Sequence, residues 1–103
     1  MAEEKNLENR IKKWLTEKGC YWVKYFGCAY TRAGVPDLLC SINGKFVALE
    51  CKSSKGKLSE LQKYEMRKIS NSGGYAYCVS PKNWEEVKQD IEKIMESEEE
   101  NAK

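Results

Sequence analysis

Apolar positions recur along the chain at two different periods, and the alternation between them marks out the elements. Leu7, Ile11, Trp14 and Leu15 recur at helical spacing, which predicts an amphipathic helix over about Lys5–Lys18, stopped near Gly19. The next run, YWVKYF (Tyr21–Phe26), is aromatic and β-branched and reads as a strand. GCAYTRAGVP, with two glycines and a proline, reads as a loop. DLLCSI (Asp37–Ile42) and FVALEC (Phe46–Cys51) read as two strands joined through Asn43-Gly44, a hairpin signal. KSSKGK is a polar connection into a second helix over about Ser59–Asn71, ended by Gly73-Gly74. YAYCVS (Tyr75–Ser80) is a fourth strand. Trp84, Val87, Ile91 and Ile94 form the stripe of a last helix, with Asn83 and Glu86 as its expected capping box.

The resulting order is α-β-β-β-α-β-α. Strands two and three pair as an antiparallel hairpin. Strand three, the second helix and strand four form a crossover unit, so those strands run parallel. The expected fold is α/β, a mixed four-stranded sheet flanked by helices. At 103 residues the chain supports one core. Residues 1–95 are expected to form one domain, with an acidic, frayed tail over 96–103.

Polar groups stand where this pattern calls for apolar ones. FVALEC is the sort of continuous run that both faces of a sheet cover, yet it ends on Glu50 and Cys51, with Lys52 next. Side chains alternate along a strand, so Phe46, Ala48, Glu50 and Lys52 share one face. Counting back from the Asn43-Gly44 turn sets Phe46 near Ser41 or Ile42, and Glu50 near Asp37 or Leu38. Asp37 and Glu50 therefore meet across the ladder at the end far from the turn, with Lys52 one pleat further out. Two carboxylates so placed repel and raise each other's pKa, a conflict that a divalent cation relieves.

Composition narrows the chemistry. The chain has no histidine, which excludes Ser-His-Asp and Cys-His catalysis and leaves carboxylates, lysines and an oxygen-seeking metal such as Mg²⁺. The five cysteines, Cys20, Cys28, Cys40, Cys51 and Cys78, contain no CxxC pair and read as reduced thiols. No apolar run is long enough for a membrane span and the N-terminus is polar, so an intracellular protein is expected. The net charge is +2, but the last eight residues carry four acids against one lysine, which leaves the first 95 at +5. Lys52, Lys55, Lys57, Lys63, Arg67 and Lys68 crowd one segment, as a phosphate-bearing partner would favour.

Pro36-Asp37 followed by Glu50-Cys51-Lys52 resembles the PD-(D/E)xK nuclease pattern. GVPDLL, ALECKSSKGKLSELQ and a first helix bearing Glu8 resemble in particular the VRR-NUC domain, over roughly Asn6–Ile94. The resemblance implies a restriction-endonuclease-like core and a metal-dependent, structure-selective DNA endonuclease of bacterial or bacteriophage type. Asp37, Glu50 and the backbone carbonyl of Cys51 would bind Mg²⁺ or Mn²⁺, and Lys52 would orient or activate the attacking water. Glu8 would add a metal or metal-water contact, a role for which Glu4, one turn earlier, competes. Gln62 has two readings, a capping partner of Ser59 and an active-site residue. Arg32, Lys24, Lys55 and Lys57 are candidate DNA contacts. The expected activity is that of a homodimeric Holliday junction resolvase. The alternatives are a monomeric nuclease acting on flaps or nicks, a non-catalytic nucleic-acid-binding module, and a purely structural domain.

Overall fold

The computed structural model describes residues 2–97, and the rest of the acidic tail, 98–103, lies outside the described residues. The elements follow the expected order: α1 (Ala2–Glu17), β1 (Tyr21–Lys24), β2 (Leu38–Ile42), β3 (Lys45–Cys51), α2 (Glu60–Asn71), β4 (Tyr75–Val79) and α3 (Trp84–Glu96). The strands form a single sheet in the order β1-β2-β3-β4. β1 and β3 both run antiparallel to β2, while β4 runs parallel to β3.

The hairpin forms at the expected turn. Asn43 and Gly44 both take positive φ, at 52° and 79°, as a two-residue primed turn requires. That turn sets Ser41 opposite Phe46 and Leu38 opposite Leu49, so Asp37 and Glu50 come next on the two sides of the ladder. Asn43 has a second task. Its side-chain amide donates to the carbonyls of Ile94 and Ser97, which ties the end of α3 to the turn.

The capping box expected at Asn83 and Glu86 does not form. The Asn83 side chain turns back toward β4 instead, accepting from Ser80 N at 2.8 Å and donating to Cys78 O at 2.9 Å. An asparagine amide offers both a donor and an acceptor, and here the preceding turn uses both.

The two faces of the sheet are covered unequally. One face packs on α1 and α3, where Leu7, Ile11, Leu15, Leu38, Cys40, Ile42, Val47, Leu49, Val79, Trp84, Val87, Ile91 and Ile94 make one buried cluster. Trp14 meets Trp84 edge to face at 5.4 Å beside it. The other face is covered only in part by α2, which packs against β4. Tyr21, Val23 and Phe46 on that face stay exposed.

Candidate active site

The loop from Tyr25 to Asp37 delivers Asp37 to the end of the sheet. Tyr25 N donates to Asp37 O at 2.8 Å, which extends the β1–β2 ladder one step beyond its last pair, Lys24 and Leu38. The loop is docked on α2. Gly34 has φ of +86°, and a Cβ there would stand 2.8 Å from Leu61 O. Only glycine permits both that approach and that dihedral. Arg32 Nε bonds the buried Glu65 carboxylate of α2 at 3.1 Å, a second tie. The Asp37 carboxylate is then held by Cys51 N, which donates to its Oδ2 at 2.9 Å.

Alternation along β3 splits the site between the two faces of the sheet. Cys51 points with Val47 and Leu49 toward α1, and there it meets Asp37 and Glu8. One carboxylate oxygen from each acid and the Cys51 sulfur lie within 4.8 Å of one another. Glu8 is only 6% exposed, so α1 turns it inward. Glu4 is half-buried one turn earlier and close enough to act on the charge of Glu50. The two glutamates that competed for one role thus lie toward different members of the site.

Glu50 and Lys52 face the α2 side. Glu50 is 3% exposed. Its Oε2 accepts from Gln62 Nε2 at 3.1 Å, and Lys52 Nζ lies 3.7 Å away. Gln62 fills its capping reading and reaches the acid cluster at the same time. Its Oε1 accepts from Ser59 N and Ser59 Oγ accepts from Gln62 N, a complete capping box, while its amide nitrogen holds Glu50. The start of α2 is thereby fastened to β3.

The charges in the site are unevenly compensated. Burial, and then the nearby Asp37 carboxylate, push the Glu50 carboxyl up from its usual range to about 7, against the pull of Lys52. Burial also raises Glu8, but its bonds from Lys12 and Lys24 outweigh that and hold its carboxyl below the usual range. Burial pushes the Cys51 thiol far up, so it stays protonated and is a poor ligand. Two or three carboxylates beside a neutral thiol form a hard, oxygen-rich donor set, which suits a divalent ion such as Mg²⁺ or Mn²⁺ better than a soft metal.

The raised Glu50 has a measurable consequence. A carboxyl whose pKa is higher in the folded state stabilises the fold below its unfolded value, near 4.5, and loses that contribution as pH rises through about 7. By pH 8 the metal-free protein carries a cost on the order of 3 kcal/mol from this one group. Glu50→Gln, which keeps an acceptor for Gln62, should melt on the order of 10 °C above the parent at pH 8 in chelator. The gap should close near pH 4.5 and shrink when Mn²⁺ stabilises the parent. Calorimetric melting across that pH range checks it, and equal melting of the two proteins at pH 8 would contradict it.

Two residues in the site stand apart from the sequence reading. Lys24, a candidate DNA contact, turns into the acid cluster, 3.0 Å from Glu8 Oε1 and 3.5 Å from Asp37 Oδ1. Lys12, which sequence reasoning passed over, lies 2.8 Å from Glu8 Oε2. Along β1 Lys24 alternates with the exposed Tyr21 and Val23, so it shares the inner face with Trp22, an arrangement the pattern of apolar residues does not signal. Arg32 is engaged with Glu65, although more than half of its side chain remains exposed. Lys55 and Lys57 are exposed on the turn that follows Lys52.

A family model described as archaeal Holliday junction resolvase (hjc) matches residues 2–101 of the chain. No curated protein and no solved structure gives a match. The match spans nearly the whole chain, and the chain belongs to this family, a nuclease family of the PD-(D/E)xK type. Its function is that of a Holliday junction resolvase, an endonuclease acting on branched DNA, with an acidic cluster able to hold a divalent metal. The family is an archaeal one, so the bacterial or bacteriophage type inferred from the motifs draws no support from it.

Proposed function

We propose that the chain is a Mg²⁺- or Mn²⁺-dependent endodeoxyribonuclease in which Asp37, Glu50, Lys52, Glu8 and Gln62 form the active site. The observation that carries this is the convergence of three buried or half-buried acids and a lysine at one end of the two central strands. Burying charge there costs several kcal/mol unless it is compensated, and the compensation is arranged to hold a cation and a phosphate. Asp37, Glu50 and the Cys51 carbonyl are the proposed ligands, with Glu8 supplying a further contact to the ion or its water. The bound ion supplies Lewis-acid stabilisation of the charge that develops on the scissile phosphate.

The other steps fall to the chain itself. Lys52, on the same face as Glu50, orients the attacking water and offsets phosphate charge. Gln62 fixes the Glu50 rotamer, since its amide nitrogen donates to Oε2 while its carbonyl end is held by the Ser59 N–H. Lys55 and Lys57 stand on the turn beside Lys52, where they can contact the DNA backbone on either side of the cut. The GVPDLL and LSELQ segments further support a relationship to VRR-NUC domains within this nuclease class. A DNA substrate of this kind supports an intracellular location. Among the described residues, no helix is long and apolar enough to cross a membrane.

We also propose that the active form is a homodimer, with residues 1–95 as its single-domain subunit. Resolving a four-way junction takes two cuts on strands related by two-fold symmetry, and two copies of one site satisfy that relation. The half-covered face of the sheet supports this. Tyr21, Val23, Leu39, Cys40, Ser41 and Phe46 line a shallow apolar depression of about 310 Å³ there.

Cleavage of matched linear, flap, nicked and four-way substrates, with chelator or with Mg²⁺, tests the proposal. The four-way junction should be cut into two nicked duplexes, and only with the metal. Preferential cutting of flaps, with the junction left whole, would favour the monomeric nuclease instead, a reading on which the exposed face has no partner.

A further inference from the structure

We propose that Lys24 is a built-in counter-ion of the metal site, which occupies the Glu8 and Asp37 carboxylates and must give them up when a divalent cation enters. The inference rests on the reading of those two acids as metal-binding groups. Each of their four carboxylate oxygens already has a positive or N–H partner. Lys24 Nζ lies 3.0 Å from Glu8 Oε1 and 3.5 Å from Asp37 Oδ1, so one ammonium bridges both acids. Lys12 Nζ lies 2.8 Å from Glu8 Oε2, and Cys51 N donates to Asp37 Oδ2 at 2.9 Å.

Of these partners Lys24 is the one in a cation's way. Lys12 reaches Glu8 from the following turn of the same helix. The Cys51 N–H is fixed in the backbone and carries no net charge. Lys24 bridges the same two acids that a cation would join, and its ammonium lies among the oxygens that a hard ion would take as ligands. A dication bound there would stand within a few ångströms of the lysine charge, and like charges that close repel strongly. The side chain has a way out. It is partly exposed, and Nζ already lies 5.8 Å from the ring centre of Phe26, itself an exposed side chain. Entry of the ion is therefore an exchange of one cation for another, with affinity lowered by what Lys24 gives up.

The role predicts a gain of metal affinity on removing a residue from the site, which a merely structural lysine would not give. Calorimetric titration of the full chain with MnCl₂ should show Lys24→Met binding roughly tenfold or more tighter than the parent, the equivalent of one lost charge-assisted contact. Lys24→Arg, which keeps the charge, should bind nearly as the parent does. Without metal Lys24→Met should melt below the parent, and saturating Mn²⁺ should narrow that difference. If Lys24→Met does not fold, Lys24→Gln keeps an N–H for Glu8 and carries the same expectation with a smaller gain.

Asp37→Asn, titrated alongside, separates the two ideas. Loss of binding in Asp37→Asn with no gain in the Lys24 variants would overturn the exchange and leave the metal site standing. Mn²⁺ binding unchanged in Asp37→Asn, or none to any of the proteins, would remove the metal reading and the exchange with it. Weaker binding by Lys24→Met would overturn the exchange by assigning the lysine the opposite role, that of a support for the ion.

Discussion

Asp37→Asn should cut a four-way junction about a thousandfold more slowly than the parent, or not at all, while folding normally. The size follows from the part proposed for the metal in the reaction. Stabilising charge on the transferring phosphate contributes several kcal/mol, and each ~1.4 kcal/mol is tenfold in rate. The folding expectation follows from the local contacts. The amide side chain of the variant would still accept the Cys51 N–H through its carbonyl oxygen, so the bond that fastens the loop to β3 survives. What the substitution removes is one negative charge beside Glu50 and Glu8. Glu50→Gln should lose activity to a similar extent for the same reason, and Lys52→Ala through loss of the group proposed to orient the water and offset phosphate charge. Quantitative cleavage under single-turnover conditions, beside junction binding in Ca²⁺, checks all three. Robust cleavage by a well-folded Asp37→Asn protein in Mg²⁺ would reject the assignment, whatever the other two variants do.

Much of this acid cluster could be read from the chain because two short-range rules locate it. Asn43-Gly44 fixes the hairpin register, and the two-residue period then puts Glu50 and Lys52 on one face. Together they carry Asp37 to Glu50 without any tertiary information. Glu8 needed one more step, the helical stripe, and it too came out facing the sheet. The rest depends on contacts that no local rule encodes. The pairing of β1 with β2 brings Lys24 beside Asp37, and no local signal sets the register of strands separated by a loop of more than ten residues. The tie between Arg32 and Glu65 spans 33 positions, and nothing in either neighbourhood announces it. Asn83 failed as a cap for a different reason. A polar side chain at a helix start can serve the helix or the turn before it, and the choice rests on where the Cys78 carbonyl happens to lie.

β1 also inverts the usual arrangement of a surface strand, and the second large effect is expected there. Its apolar residues Tyr21 and Val23 face solvent while Lys24 turns inward. Phe46, opposite Ser41 in the register, continues the exposed row, and Leu61 and Tyr64 of α2 are exposed as well. Tightly packed side chains hold the α1 and α3 face, but this one has only α2 on part of it. An uncovered apolar patch of this kind on a small domain marks a contact surface. A specific dimer buries ~800 Å² per partner, so the contact has to reach beyond the depression, and the nearby aromatic residues suit that rim. Val23→Glu combined with Phe46→Glu should place four like charges within a two-fold interface and leave a monomer at micromolar concentration. Neither residue belongs to the acid cluster, so the variant should keep its metal site and still nick one strand, while paired cutting of the junction falls by two orders of magnitude or more. Sedimentation velocity and a junction assay that separates one cut from two decide it. A parent that sediments as a monomer yet makes both cuts would sink the dimeric reading, and a variant that stays dimeric would move the interface to another face of the molecule.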